Sequence, residues 1–530
     1  MRHSFIALAA MAVLAGCTGK KAKDTFVYCS EGSPSLFNPI LATDGTSYDA
    51  SSRPIFNRLV DFKPGTTEVI PSLATEWEVS QDGKVYTFKL RKGVSFHATA
   101  DFAPTREFNA DDVIFTFARP QDKENPYNKI SGGNYVYFNA MKMGELIKEI
   151  KKINDHEVQF VLTQPEAPFL ANLAMDFASI HSKEYADKML EVGTPERVDT
   201  NPVGTGPFVF KSYVKDTAIR FEANKTYFAG TPQINKLVFL ITPDPSVRFQ
   251  KLKAGECDFI NEPSPTDLKA IKDDPNIKLV STSGLNVGYL SMNVQKKPFD
   301  NVKVRQAVNF ALNRESYIDA IYFGNAEVAK NPIPPSMWSY NNEVPGYPYD
   351  VEKAKQLLKE AGYADGFETE LWALPVSRPY NPNGKKMAEL MQADLAKVGV
   401  KVKIVTYDWP TYLAKSEKLE HEMLQLGWNG DNGDPDNFLD HLLGCDGVKY
   451  GSNNAAWCYK PFDALVKKAK RVTTQAEREA LYKKSQQIVF EQAPWVPLAH
   501  STVYRAMRAN VSGYTLSPLA TNNFDQVVLK

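Results

Sequence analysis

The chain has 530 residues, of which 43% are hydrophobic and 23% are charged. At roughly 100 to 200 residues per domain, this length predicts about three structural units and excludes a small module with one core. The composition is that of a globular protein, which excludes extended disorder and collagen-like repeats. The 62 basic side chains balance 62 acidic ones. The chain therefore has no uniform basic field, and we predict no nucleic-acid partner.

The first 16 residues have the pattern of a secretion signal. Arg2 is followed by an apolar run over residues 5–14, which is too short to span a bilayer. The run leads through Leu-Ala-Gly to Cys17, a pattern that resembles the bacterial lipobox. We predict a lipoprotein signal peptide over 1–16, lipidation of Cys17 and a short tether over 17–23. An ordinary signal peptide with an incidental cysteine is the alternative, and both predict export from the cytoplasm.

The four remaining cysteines are even in number, and an exported chain meets an oxidising compartment. Two disulfides are therefore predicted, with three possible connectivities. Cys445 and Cys458 are close enough in sequence to close one loop, and Cys29 would then pair with Cys257. A four-cysteine zinc site is the alternative, but the chain has no C-x-x-C or C-x-x-H spacing. We predict no metal site.

The predicted elements are mixed strands and helices without a short repeat, which indicates an α/β body. Alternating residues predict strands at Val85–Leu90, 158–162 and Lys236–Ile241. The spacing of apolar residues predicts helices at 111–117 and 301–312.

The clearest local pattern is a helix followed by a strand, a second helix and a second strand. Asp350 is predicted to cap the first helix, and Gly362 to end it. The next three elements are predicted at residues 367–376, 385–398 and 400–406. A right-handed β-α-β crossover is the expected connection between two such strands. In open sheets of this kind, ligands bind beyond the carboxyl ends of the strands.

Two charged side chains follow predicted strands. Arg378 comes just after the strand at 367–376, and a further strand at 423–428 leads into the loop 429–437, which contains Asp431. The loop is typical of a solvated turn, and it lacks the register of a calcium-binding loop. Recognition of a cation by Asp431 is the other interpretation. Arg378 taken alone fits a surface or paired arginine as well as an anion clamp.

Several segments identify the chain as a member of a large family of bacterial receptors for peptides, nickel and haem precursors. They are residues 73–77, 90–94, 109–113, 203–208 and 302–307. Three further segments and all four cysteines are similar to those of the dipeptide receptors of ABC peptide importers, within solute-binding protein family 5. These segments are residues 28–34, 378–383 and 427–438. The resemblance covers nearly the whole mature chain.

This resemblance implies a two-lobed periplasmic-binding-protein fold of the α/β class that closes around its ligand. Two crossover segments, near 284–288 and 500–504, would hinge the lobes. Lobe I would also carry an extra subdomain. The implied division is lobe I at 24–56, 189–283 and 502–530, the extra subdomain at 57–188, and lobe II at 284–501.

The resemblance also implies a receptor, in the periplasm, that captures dipeptides and delivers them to the permease subunits of an ABC transporter. Asp431 matches the acceptor for the peptide ammonium, and Arg378 matches the guanidinium that grips the carboxylate. Two fixed opposite charges would measure the length of the peptide. The other residues implied to bind ligand are Trp428, Tyr380, Gly427, Gly45 and Thr46.

The aromatic and small residues of this set have different implied roles. Trp428 and Tyr380 are candidate pocket walls, and a plain core position is the alternative for each. Gly45 and Thr46 belong to a segment that resembles a strand of lobe I offering main-chain hydrogen bonds. The chain is expected to be a monomer held at the membrane by lipidated Cys17.

Two alternatives for the ligand stay open, because the lipobox also occurs in related receptors named haem-binding and now interpreted as glutathione-binding. These relatives keep residues like Arg378 and Asp431, so the charge pair does not separate dipeptide from glutathione or haem. The cysteines at 445 and 458 favour the dipeptide branch.

An enzyme is the opposing class of function. The chain has no H-E-x-x-H, G-x-S-x-G or P-loop motif, and the S-x-x-K pattern at 212–215 has no companion motif. We therefore predict no enzyme and no cofactor. A periplasmic peptidase is the alternative from a different class, and a purely structural lipoprotein is a third hypothesis.

Overall fold

The computed structural model describes residues 24–530 of the chain. The predicted signal peptide over 1–16, Cys17 and the predicted tether over 17–23 lie outside these residues. The described residues form strands and helices from end to end, which confirms the predicted α/β class. Among the helices of this part of the chain, none combines the length and the apolar character that a membrane span needs.

The strands and helices are interspersed along the whole described chain. In chain order the strands are β1 (Thr25–Ser30), β2 (Val60–Phe62), β3 (Val69–Pro71), β4 (Ala74–Val79), β5 (Val85–Leu90), β6 (Ile147–Asn154), β7 (Glu157–Leu162), β8 (Phe208–Val214), β9 (Ala218–Ala223), β10 (Lys236–Ile241), β11 (Phe259–Asn261), β12 (Ile277–Ser283), β13 (Asn286–Met292), β14 (Ala326–Val328), β15 (Phe367–Trp372), β16 (Val400–Val405), β17 (Met423–Asn429), β18 (Trp495–Arg508), β19 (Val511–Ser512) and β20 (Val528–Leu529). The helices are α1 (Gly45–Ala50), α2 (Ala110–Gln121), α3 (Val136–Ala140), α4 (Met143–Leu146), α5 (Phe169–Leu173), α6 (Lys183–Glu191), α7 (Arg197–Thr200), α8 (Pro245–Ala254), α9 (Leu268–Asp273), α10 (Val302–Ala311), α11 (Arg314–Tyr322), α12 (Val351–Glu360), α13 (Gly384–Ala396), α14 (Trp409–Glu417), α15 (Asp436–Leu443), α16 (Cys445–Tyr450), α17 (Lys460–Arg471) and α18 (Gln475–Gln492).

The long strand β18 is shared by two large sheets, which we name the first sheet and the second sheet. The first sheet has the order β8-β9-β10-β1-β11-β18, with β12 also paired to β18. The second sheet has the order β16-β15-β17-β13-β18, with β14 also paired to β18. The chain thus passes between the sheets twice, once between β12 and β13 and once within β18.

The two passages between the sheets are bonded to each other. The Asn286 side chain accepts a hydrogen bond from the Ser501 backbone N–H at 2.8 Å and donates one to the Ser501 carbonyl at 3.1 Å. A Cβ atom at Gly284 would lie 2.7 Å from that same carbonyl oxygen, so the close approach needs a glycine. These contacts fall within the predicted crossover segments, while the lobe boundaries themselves stay a prediction.

A separate antiparallel sheet of four strands, β4-β5-β7-β6, lies within the predicted extra subdomain. The alternation that predicted β5 is visible in the structure, because Tyr86, Phe88 and Leu90 are buried on one face. The apolar core beneath this sheet continues into helices α15, α17 and α18 through Phe438 and Phe462. The extra subdomain therefore packs against the helices that follow the Asp431 loop.

The other predicted strands and helices are confirmed, with differences at their ends. The predicted strands at 158–162 and 236–241 are β7 and β10, and the helix predicted at 301–312 is α10. Helix α2 is longer than predicted because Asn109 and Asp112 form a capping box that starts it one residue earlier, and it continues to Gln121.

The predicted β-α-β crossover is confirmed by β15, α13 and β16. The two strands pair in parallel from Phe367 opposite Val400 onward. Before them, the Asp350 side chain caps α12 by accepting a hydrogen bond from the Lys353 backbone N–H at 2.8 Å. Gly362, with a φ angle of +88°, follows the end of that helix as predicted.

Strand β15 ends at Trp372, four residues before its predicted end. The Leu374 backbone N–H donates to the Gln425 side chain at 3.1 Å instead of to a neighbouring strand. Pro375 has no N–H to contribute to a ladder. The segment that carries Arg378 is consequently a loop rather than a strand continuation.

The four cysteines of the described chain form the two predicted disulfides. Cys29 at the end of β1 is bonded to Cys257 just before β11, which joins two neighbouring strands of the first sheet. Cys445 is bonded to Cys458 across the short segment that follows α15. The predicted pairing is confirmed.

Candidate ligand-binding site

The two predicted charged residues follow neighbouring strands of the second sheet. Strands β15 and β17 are adjacent and parallel. Arg378 lies in the loop after β15, and Asp431 lies in the loop after β17. Because the carboxyl ends of parallel strands meet at one edge of a sheet, both loops leave the same edge.

The Asp431 carboxylate is held by two hydrogen bonds from different parts of the chain. The Tyr137 hydroxyl, on α3, donates to Oδ1 at 2.8 Å. The Asn437 side-chain amide nitrogen donates to Oδ2 at 3.2 Å. The Asn437 side-chain oxygen accepts from the Asp431 backbone N–H at 3.0 Å. The carboxylate is thus fixed in place by neutral donors.

The electrostatic environment of Asp431 favours a cation. Burial raises the pKa of its carboxyl group to about 7, although the bonds from Tyr137 and Asn437 act in the opposite direction. Within residues 24–530, no lysine, arginine or histidine nitrogen lies within 4.0 Å of this carboxylate. A ligand cation would supply the missing positive charge and would hold the carboxyl group in its ionised form.

Arg378 is presented by a tight turn. Its backbone N–H donates to the Asn381 carbonyl at 3.1 Å, and the Asn381 N–H donates back at 3.0 Å. The guanidinium lies over the Trp409 ring, with 5.1 Å between the guanidinium carbon and the ring centroid. In the described part of the chain, no aspartate or glutamate oxygen lies within 4.0 Å of it. Within residues 24–530, the guanidinium fork therefore has no carboxylate partner.

Tyr380 is packed against two glycines of the second sheet. A Cβ atom at Gly427 would lie 2.2 Å from the Tyr380 ring, and one at Gly288 would lie 2.3 Å from the Tyr380 carbonyl oxygen. The Tyr322 hydroxyl donates to that carbonyl at 2.6 Å. Gly427 therefore acts by making room for Tyr380, whose ring is 6% exposed.

Trp428 is partly buried and lies beside the Asp431 loop. Its indole N–H donates to the Asn437 side-chain oxygen at 2.9 Å, the same oxygen that accepts from the Asp431 backbone. Its ring centroid lies 4.9 Å from that of His441. Trp428 thus helps to position Asn437, and through it Asp431. Its predicted contact with a ligand stays a prediction.

The segment of Gly45 and Thr46 is the first turn of helix α1, so the strand predicted there is wrong. Asp44 caps this helix, because its carboxylate accepts a hydrogen bond from the Ser47 backbone N–H at 2.8 Å. Gly45 is exposed, and a Cβ atom there would meet nothing within 4 Å. The Thr46 hydroxyl donates to Glu31 at 3.2 Å. Binding of a ligand by Gly45 and Thr46 stays a prediction.

Sequence reasoning missed two residues that bond directly to the Asp431 carboxylate. Tyr137 lies 294 positions away along the chain, and no local pattern marks it. Asn437 is the last residue of the predicted loop, and asparagine is a common residue in turns. Its position six residues after Asp431 is the only signal that the sequence offered.

The arrangement combines two fixed, opposite charges that lack ion-pair partners within the described chain. A carboxylate fixed by neutral donors suits an ammonium ion, and a guanidinium suits a carboxylate in a bidentate geometry. The described residues contain no group of three or more histidine, cysteine or acidic side chains arranged to hold a metal ion. A small zwitterion is the class of ligand whose charges match both ends.

Comparison with known proteins agrees with this chemistry. Residues 68–450 match the model of bacterial extracellular solute-binding proteins, family 5 Middle. The chain is 55% identical over 525 residues to the dipeptide-binding protein of Escherichia coli K12, covering 99% of this chain and 97% of that protein. It is 51% identical to Heme-binding protein A of Haemophilus influenzae, covering 94% of this chain and 91% of that one.

A solved structure shows the same fold. The crystal structure of a dipeptide-binding protein from Pseudoalteromonas sp. SM9913, in complex with Met-Leu, has a TM-score of 0.88 and is 42% identical in sequence. The match covers 96% of this chain and all of that one. The predicted two-lobed fold is confirmed, and so is the prediction of a solute-binding receptor rather than an enzyme. The chain belongs to the bacterial extracellular solute-binding proteins of family 5.

Proposed function

We propose that this protein captures dipeptides between its two lobes and delivers them to an ABC transporter. The observation that carries the proposal is the pair of unpartnered charges at one edge of the second sheet. Asp431 accepts the ammonium of the peptide, and Arg378 binds the carboxylate. The 55% identity to a dipeptide-binding protein over nearly the whole chain supports the same ligand.

The two charges select peptides by length. A dipeptide zwitterion separates its ammonium and carboxylate by at most about 7 Å, from roughly 3.5 Å per residue. A longer peptide would misplace one terminus. Trp428 and Tyr380 form walls of the pocket, and water fills the space around the two side chains, which allows many sequences to bind.

Contact between the lobes is coupled to the ammonium end of the site. Tyr137 belongs to the extra subdomain proposed for lobe I, and Asp431 belongs to the part proposed as lobe II. Their hydrogen bond exists only when the two parts are close. A ligand ammonium on Asp431 lies beside this junction, so its charge stabilises the closed arrangement.

The receptor works outside the cytoplasm, as members of its family do. We propose that it is a periplasmic monomer anchored to the membrane by lipid on Cys17 and that it docks on permease subunits. Replacing Cys17 by serine should release the protein from the membrane fraction and abolish labelling by radioactive palmitate. Unchanged membrane association of the Cys17→Ser variant would contradict the anchor.

Glutathione or haem is the second candidate ligand. The observation in its favour is the 51% identity to a relative named Heme-binding protein A. Native mass spectrometry of the freshly purified protein separates the candidates, because it weighs whatever has co-purified. A mixture of dipeptide masses is expected. A single mass equal to glutathione or haem would overturn the dipeptide proposal.

Calorimetry with defined ligands gives the direct test. Ala-Ala should bind, whereas N-acetyl-Ala-Ala should bind at least a hundredfold more weakly and Ala-Ala amide roughly thirtyfold more weakly, because each lacks one charge. Equal binding of free and blocked peptides would refute recognition of the termini by the charge pair. Dipeptides should also be recovered unchanged after incubation, since the receptor does not hydrolyse them.

A further inference from the structure

Two carboxylates lie next to each other on the first sheet, outside the charge pair described above. Strands β1 and β11 pair in parallel, with Tyr28 opposite Phe259 and Cys29 opposite Ile260. Continuing this register places Glu31 opposite Glu262, one residue beyond the end of each strand. Neighbouring strands are about 4.8 Å apart, so the two side chains leave the same edge as near neighbours.

Neither carboxylate has a cationic partner within the described residues, 24–530. Glu31 accepts hydrogen bonds from three neutral donors, the hydroxyls of Tyr28 and Thr46, both at 3.2 Å, and the Asn261 amide at 2.6 Å. No donor from this part of the chain is bonded to the Glu262 carboxylate, and neither glutamate forms an ion pair within 4.0 Å.

The nearby arginines are bonded to other groups. Arg248 donates to backbone carbonyls, including that of Glu262 at 3.2 Å. Arg505 donates to the Asn522 side chain at 2.8 Å and to the Tyr504 backbone carbonyl at 2.9 Å. The bonds of these arginines go to backbone carbonyls and to an amide oxygen, so neither arginine forms an ion pair with Glu31 or Glu262.

A buried acceptor beside the two carboxylates provides the second observation. Asn261 is 2% exposed, and its side-chain N–H group points to Glu31. Its side-chain carbonyl oxygen is buried and has no hydrogen-bond partner. A buried acceptor without a donor is unfavourable, so such groups are normally satisfied by a ligand or by water. The Asn261 oxygen is therefore an acceptor without a protein donor, next to two carboxylates without a cationic partner among the described residues.

The backbone at Glu262 is also unusual. Its φ angle is +43°, in the left-handed region that residues with side chains rarely adopt. Conformations of this kind persist where the surrounding structure enforces them, and they are concentrated at binding sites. Here the conformation turns the chain at the end of β11 and sets the direction of the Glu262 side chain.

Glu262 is within electrostatic reach of Arg378. Burial, and then the charge of Glu31, raise the pKa of the Glu262 carboxyl, while Arg505, Arg248 and Arg378 oppose that rise. The contribution of Arg378 supports a position for Glu262 on the side of the carboxylate-binding end of the proposed dipeptide site. In a dipeptide bound as proposed, the second residue carries the terminal carboxylate that Arg378 binds. The side chain of this second residue therefore begins next to Arg378.

We propose that Glu31, Glu262 and the Asn261 carbonyl form a subsite for a cationic side chain, lysine or arginine, on the second residue of the peptide. This inference rests on the proposed function, because it takes the peptide carboxylate to be on Arg378. The ammonium or guanidinium supplies the positive charge that the two carboxylates lack among the described residues, and it donates to Glu262 and to the Asn261 carbonyl. An acidic side chain is repelled from the same place.

Calorimetry on wild-type protein with a matched panel of dipeptides tests the subsite. Ala-Lys should bind about tenfold more tightly than Ala-norleucine, which has a side chain of similar length without the charge, and Ala-Glu should bind more weakly than either. Lys-Ala should show no such advantage over norleucyl-Ala, because its cation lies at the other end of the site. Equal affinities for Ala-Lys and Ala-norleucine would overturn the inference.

Variants locate the effect. In the Glu31→Gln and Glu262→Gln double variant, the ratio of Ala-Lys to Ala-norleucine affinities should fall close to one. Glu222→Gln removes one negative charge from the surface of the first sheet, where Glu222 is paired with Lys211, and should keep the wild-type ratio. A preference for Ala-Lys that survives in the double variant would refute the assignment.

Two controls separate the possible failures. If Ala-Ala itself does not bind, the proposed function fails. If Ala-Ala binds and the side-chain preference is absent, only the subsite fails. The wild-type preference should persist in the presence of a metal chelator. Its loss on chelation would overturn the proposal, since a metal ion would then be the occupant of the two carboxylates.

Discussion

The two charged ends of the site are held in different ways. Asp431 receives hydrogen bonds from Tyr137, which is distant in the chain, and from Asn437 in its own loop, and burial raises the pKa of its carboxyl group to about 7. Arg378 lies on a short turn, and its guanidinium lies over the Trp409 ring. The carboxylate is held by hydrogen bonds, whereas the guanidinium contacts an aromatic ring.

This difference indicates how one receptor can combine tight binding with tolerance for many sequences. In the proposed site the Asp431 end would fix the position of the peptide ammonium, because a buried carboxylate with fixed donors has little freedom to move. The Arg378 end can adjust to the second residue, since a guanidinium keeps its contact with an aromatic face over a range of positions. We therefore expect larger losses of affinity at the Asp431 end than at the Arg378 end.

The largest effect is expected for Asp431→Ala. The ligand ammonium would be left unpaired in a closed cleft, which should cost about 3 to 5 kcal/mol of binding free energy, at least a hundredfold in affinity. Calorimetry with Ala-Ala measures it. N-acetyl-Ala-Ala should bind the wild type about as weakly as Ala-Ala binds the variant. Affinity near that of the wild type would show that Asp431 is not the ammonium acceptor.

Arg378→Ala is expected to have a smaller effect of about 2 kcal/mol, or roughly thirtyfold, from the loss of charge-assisted hydrogen bonds to the carboxylate. Arg378→Lys should recover only part of it, because an ammonium does not reproduce the bidentate fork. Affinities for Ala-Ala and for Ala-Ala amide would be compared in each variant. A loss larger than that of Asp431→Ala would reverse the proposed difference between the ends.

Binding should depend on pH through Asp431. Its carboxyl group must be ionised to accept an ammonium, and its pKa in the free protein is raised to about 7. Below that pH a proton has to leave before the ligand binds, so affinity decreases as the pH falls. We expect Ala-Ala to bind about tenfold more weakly at pH 6 than at pH 8.

The control for this pH dependence is Asp431→Asn, which should bind weakly and without the same slope. Burial and the Glu31 charge also raise the pKa of Asp49 to about 7. An unchanged slope in Asp431→Asn would therefore assign the dependence to another group such as Asp49.

The smallest effect is expected for Tyr137→Phe. The change removes one hydrogen bond to the Asp431 carboxylate while it keeps the ring, which is stacked on Phe177 with centroids 6.1 Å apart. We expect about a fivefold loss of affinity for Ala-Ala, from about 1 kcal/mol, together with a higher midpoint in the pH profile. Tyr135→Phe, on the residue that precedes α3, is a matched control and should leave that midpoint in place. A midpoint that is the same in Tyr137→Phe and wild type would argue against this role.

Local sequence patterns predicted much of the fold. Alternation located β5 and β10 at their observed bounds, because one face of each strand is buried. Asp350 and Gly362 predicted the two ends of α12, because capping depends only on residues within one turn of each end. The strand that the resemblance implied at Gly45 and Thr46 was wrong, because the Asp44 side chain caps helix α1 there.

The sequence by itself determined the candidates for the two charges of the proposed site, Arg378 and Asp431, through motifs whose members are neighbours in the chain. Only the tertiary structure decided what surrounds those charges. Tyr137 reaches Asp431 across 294 positions, and Glu31 meets Asn261 across 230. Such contacts follow from the pairing of distant strands and from the packing of the extra subdomain on α15, α17 and α18, and burial in that packing is what raises the pKa of Asp431.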